Sequence, residues 1–134
     1  MTIKGLWPDN LKPLSSAVGV SPEDILVVQA KDLTQKTNKT LQGEIERSSQ
    51  GEWLTLDFYV LVPALDSYRY HLLKVRHKVP PYPAQIFVPG MNKDKPWLAK
   101  DSKHFENVLK VVFQSANVRK VLGELIAYAE SKRK

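Results

Sequence analysis

The chain contains no cysteine at all. Disulfides, thiolate zinc sites and cysteine nucleophiles are therefore excluded before any other residue is considered. Long apolar runs are also missing. The longest, Tyr59 to Leu65, is broken by Pro63 and is far shorter than the ~20 residues that cross a bilayer. Residues Met1 to Asn10 carry Trp7-Pro8-Asp9 instead of an apolar core, so no secretory signal is read there. These absences lead us to expect a cytoplasmic protein with no membrane association. The six glycines form no phosphate-cradling cluster, and no Gly-x-Ser-x-Gly elbow or HExxH spacing occurs. The missing constellations weigh against an enzyme, and no catalytic residue, metal site or cofactor is expected.

What is present fits one α+β domain spanning residues 1–134, with residues 1–10 and 132–134 expected to be flexible. A hydrophobic fraction of 43% supports a core of ordinary size. The formal charge of +6 is unevenly placed: Met1–Ser67 holds 6 Lys/Arg against 9 Asp/Glu, whereas Tyr68–Lys134 holds 14 against 5. A basic second half of this kind suits an anionic partner.

Ser21-Pro22-Glu23-Asp24 reads as a helix start, with Ser21 as cap and Pro22 in the first turn. Leu26, Ala30 and Leu33 follow at helical spacing, and Asn38 marks a stop; the β-branched pair Val27-Val28 argues the other way. Four strands are expected next. Leu41–Ser48 alternates loosely, Ser49-Gln50-Gly51 turns, and Trp53–Val62 alternates cleanly, with Leu54, Leu56, Phe58, Val60 and Val62 on one face. Asp66-Ser67 turns the chain into Tyr68–Lys78, where Tyr68, Tyr70 and Leu72 should share one face and Leu73 and Val75 the other. After the proline-rich Val79–Pro83, Ala84–Val88 reads as a short edge strand able to pair with a second copy, and Met91–Asp101 as a loop. Two helices close the chain, the first capped by Ser102 and the second following the break at Ser115-Ala116-Asn117. The fold expected is α+β: an antiparallel four-stranded meander, one helix before it and two after, packed on one face.

This element order, with Tyr82-Pro83 after the third strand, resembles the layout of ubiquitin-conjugating and RWD domains. The next proline, Pro89, lies beyond that family's YPxxxP spacing, so the likeness is one of element order alone. A chain without cysteine cannot carry a conjugating thioester.

The three histidines form no metal set. His71 and His77, six apart on one strand, should face the same way about 20 Å apart, and His104 lies on another element. Glu44 and Glu46 share a strand face and read as solvated. The segment that interleaves cations with aromatics is Tyr68, Arg69, Tyr70, His71, Lys74, Arg76, His77 and Lys78, followed by Tyr82. We take it as the candidate binding surface. Two functions follow: a non-catalytic interaction domain for a protein partner, of antitoxin or immunity type, or a nucleic-acid-binding module. In the second, Arg69, Lys74, Arg76 and Lys78 would meet phosphates, and Tyr70 or Tyr82 would stack on bases.

Overall fold

A computed structural model describes Leu6, residues 20–92 and residues 94–132. The expectations for residues 1–10 and for the last two residues thus fall, Leu6 apart, outside the described residues. Helix α1 (Pro22–Lys36) starts as the sequence dictates: Asp24 donates its backbone N–H to Ser21 Oγ at 3.1 Å. Helix wins over the β-branched pair because Ile25, Leu26 and Ala30 bury on one side while Val28 faces solvent. Asn38 and Lys39, both at positive φ, then reverse the chain.

The sheet is antiparallel, in the order β1 (Gln42–Gln50), β2 (Trp53–Val62), β3 (Tyr68–His77), β4 (Ala84–Phe87) and β5 (Trp97–Ala99). It has five strands, not four. Gln50 pairs with Trp53, so the first hairpin turns on Gly51 and Glu52, with Gly51 supplying the positive φ such a loop needs. The fifth strand lies inside the expected loop. Asn92 places it: its Oδ1 accepts the Val88 N–H at 2.6 Å and its Nδ2 donates to Ile86 O at 2.8 Å, ending β4 and turning the chain back. Ile86 then pairs with Trp97 and Ala84 with Ala99. The expected edge strand Ala84–Val88 is therefore the interior strand β4, ending at Phe87, and β5 occupies the edge through which a second copy would have paired. Among the described residues, the free edges belong to β1 and β5.

Helices α2 (Ser102–Phe113) and α3 (Ala116–Lys132) follow. The cap of α2 is Asp101, one residue before the expected Ser102, because its carboxylate reaches the His104 N–H at 2.8 Å. Ser115 makes the break, its Oγ donating to Val112 O at 2.7 Å. All three helices bury their apolar stripes on one side of the sheet. Phe105, Leu109, Val112, Val118 and Leu125 meet Phe58, Val60, Val62, Leu73, Val75 and Ile86 in one core. None of the described helices is long and apolar enough to cross a membrane.

One irregularity decides which side chains reach the other side. Phe58 pairs with Leu73 and Tyr59 with His71, leaving Leu72 unpaired in a bulge. Leu72 and Leu73 consequently both bury, where simple alternation would have put them on opposite faces. The bulge also separates the two histidines. His71 belongs to the outer face, while His77 sits on the helix side, 7% exposed, donating Nδ1–H to Lys78 O at 2.9 Å.

Candidate binding surface

The outer face of the sheet has no helix over it among the described residues, and the pattern of β2 shows the asymmetry. Leu56, Phe58, Val60 and Val62 are buried, whereas Trp53, Thr55, Asp57, Tyr59 and Leu61 remain partly exposed. Cross-strand register then sets their neighbours: Glu44 and Glu46 of β1 lie beside Tyr59 and Asp57, and Arg69, His71, Lys74 and Arg76 of β3 line the other flank. Phe87 and Gln85 of β4 lie beyond these, opposite Lys74 and Arg76.

The cations are not alike. The Arg69 guanidinium lies 3.9 Å above the Tyr59 ring, with Nη2 at 2.7 Å from Glu46 and 3.1 Å from Glu44. The Glu46 hydrogen bond raises its pKa further above the ordinary arginine value. His71 is also engaged, its Nε2 at 2.8 Å from Asp57 Oδ1 and its ring 5.0 Å from Tyr59. Lys78 reaches Glu52 only loosely, at 3.8 Å, and lies 4.9 Å from the Trp53 ring. Arg76 stands 4.6 Å over the same ring. Among the described residues, neither Arg76 nor Lys74 has a carboxylate within ion-pair distance.

Of the residues expected from sequence, Arg69, His71, Lys74 and Arg76 share this outer face, with Lys78 at its end. The rest lie elsewhere. Tyr68 and Tyr70 oppose Val62 and Val60, placing them on the helix side, Tyr68 half exposed and Tyr70 against the core. His77 is buried. Tyr82 packs edge-on against Phe105, ring centroids 6.3 Å apart, and donates its hydroxyl to Val20 O at 2.8 Å. Burial chiefly, with Glu106 and Asp101 adding, pushes its phenol up to about 12. Tyr70 and Tyr82 are thus not the exposed stacking platforms the nucleic-acid reading needs, because the bulge and the core contact turn them away.

Sequence reasoning missed the aromatic half of the surface, Trp53, Tyr59 and Phe87. The alternation of Trp53–Val62, with Leu54, Leu56, Phe58, Val60 and Val62 on one face, leaves Trp53 and Tyr59 on the other, and that is the signal available in the sequence. One depression borders the region and a second lies apart from it. One, of about 420 Å³, lies between β3 and the end of β4 and is lined by His71, Lys74, Arg76, Phe87, Val88 and Pro89. The other is a larger open groove of about 990 Å³ between β5 and α2, walled by Met91, Trp97, Leu98, Val108 and Val111. Among the described residues, no group of three or more acidic or histidine side chains is placed to hold a metal ion. Comparison with protein-family models, with curated proteins and with solved structures finds no match to this chain.

Proposed function

We propose that this chain is a non-catalytic interaction domain that binds a protein partner on the outer face of its sheet. The observation that carries the reading is the pairing of rings with guanidinium groups there: Arg69 on Tyr59 and Arg76 on Trp53, in a face that no helix covers among the described residues. Aromatic and arginine side chains held in fixed geometry are the residues that dominate protein–protein binding energy, since little rotamer entropy remains to be lost. Charge supports a protein over a nucleic acid. Glu44 and Glu46 engage Arg69, Asp57 engages His71 and Glu52 reaches Lys78, so carboxylates are mixed among the cations, and an acidic row on β1 would repel a phosphate backbone.

The test is affinity capture from the native source, with cross-linking, using the wild-type chain, Trp53→Ala and Tyr128→Ala. Tyr128 is exposed on α3, away from the sheet face. A stoichiometric partner should be retained by Tyr128→Ala and weakened by Trp53→Ala by roughly 30-fold, the effect of losing an anchor worth about 2 kcal/mol. A partner indifferent to Trp53, or recovery of the chain alone, refutes the reading.

A further inference from the structure

The outer face is divided into a neutralised half and an unneutralised half. On the β1 side, Glu44 and Glu46 converge on one cation, Arg69. On the β3–β4 side the natural partner has been withdrawn. Register puts Asp57 directly across from Lys74, the arrangement in which opposite charges usually pair. Asp57 instead turns to His71 at 2.8 Å, and no Lys74–Asp57 ion pair forms. Arg76, two residues on, holds its guanidinium over Trp53 and likewise lacks a carboxylate among the described residues. Lys74 and Arg76 therefore stand side by side on one strand face, roughly 7 Å apart along the backbone, with mutual repulsion unrelieved. Between them and the end of β4 lies the depression of about 420 Å³, lined also by His71, which Asp57 already holds, and closed on its remaining side by the apolar Phe87, Val88 and Pro89.

Resting on the protein-binding reading above, we propose that this depression receives an acidic segment of the partner, with carboxylates meeting Lys74 and Arg76 and an apolar side chain resting on Phe87. Charge complementarity selects the ligand. An anion placed between the two cations interacts favourably with both and relieves their repulsion, while a basic segment would meet two like charges. The apolar wall distinguishes a peptide from a free inorganic anion, which gains nothing from Phe87. Continuity with Trp53, which Arg76 covers, makes the depression one end of the larger docking face. The partner's orientation is thereby fixed, its acidic end over β3–β4 and not over the glutamates of β1.

Fluorescence anisotropy with labelled probes tests this: a glutamate-rich peptide ending in phenylalanine, its lysine-rich counterpart, and a single-stranded oligonucleotide of the same charge as the acidic peptide. At about 50 mM salt the acidic peptide should bind best, and binding should weaken at about 300 mM. The double charge reversal K74E/R76E should weaken it by at least about tenfold, and Phe87→Ala by several-fold. Tyr128→Ala, on α3, should leave it within about twofold. Unchanged thermal melts of the Lys74 and Arg76 variants, both outward-facing, exclude unfolding as the cause; should K74E/R76E melt early, Lys74→Gln with Arg76→Gln is measured in its place. Acidic-peptide binding indifferent to both double variants overturns the proposal, as does tighter binding of the oligonucleotide, or equal displacement by millimolar inorganic phosphate in the wild type and in Phe87→Ala. A native partner lost with Trp53→Ala but kept with K74E/R76E refutes the acidic site and leaves the sheet-face reading standing; one kept by both variants refutes both.

Discussion

Gly43 sits where α1 crosses β1, and replacing it with alanine tests how that crossing is built. A Cβ at Gly43 would lie 2.4 Å from Ala30 Cα, 2.6 Å from Ala30 Cβ and 2.8 Å from Ala30 O. Two of these three atoms are backbone, so no side-chain rotation relieves the clash. The helix must move outward by about 1 Å to restore ordinary contact distances. That shift also stretches the bond from the Gly43 N–H to Thr34 Oγ1, now 3.2 Å. Overpacking of this kind costs about 1–3 kcal/mol, against which alanine recovers up to about 1 kcal/mol by restricting the unfolded chain. A net loss of about 1–2 kcal/mol is expected, lowering the melting temperature by roughly 3–8 °C in a chain of this size. Thermal and urea unfolding followed by circular dichroism measure it, with the urea slope unchanged. Adding Ala30→Gly should rescue little, since it removes only one of the three contacts. A Gly43→Ala variant melting within about 1 °C of wild type would show that α1 does not pack this closely on β1.

Two further perturbations probe the elements that frame the surface. Because Tyr82 is held neutral up to about 12 when folded, against 10.0 for the ordinary phenol, the unfolded chain gives up its proton first. This contribution to stability is complete below pH 10 and lost as pH rises to about 12. Denaturation midpoints should fall through that window in wild type more steeply than in Tyr82→Phe, and ultraviolet titration should show one tyrosinate forming late; equal slopes would contradict the burial. Asn92→Ala leaves the buried Val88 N–H and Ile86 O without their partners, which should cost about 2 kcal/mol and accelerate amide exchange at Val88. Unaltered exchange there would mean that Asn92 does not secure the end of β4.

The elements that the sequence made readable are those with local causes. Ser21 and Pro22 start α1 through contacts three residues long, and the period-two pattern of Trp53–Val62 follows from one face being buried. β5 was not readable because three residues carry too little periodicity, and its pairing depends on an Asn92 side chain folding back on β4. The candidate surface was half legible. Arg69, Lys74 and Arg76 announced themselves as cations, but that Arg69 is neutralised depends on Glu44 and Glu46, more than 20 residues earlier in the chain.

Residue order alone settled the chemistry on offer: no thiol, no metal-binding spacing, a basic second half, and strands and helices whose lengths follow from caps, turns and apolar period. Tertiary structure decided which of those residues meet. The extra residue at Leu72 reverses the alternation of β3, sending His77 inward and leaving His71 outward. Core packing draws Tyr82 against Phe105, and although register sets Asp57 across from Lys74, the Asp57 carboxylate turns to His71 and leaves Lys74 without a carboxylate among the described residues. Local propensity acts over a few residues, whereas sheet register is a contest among distant segments for the same hydrogen bonds and the same buried volume, and only the folded chain resolves it.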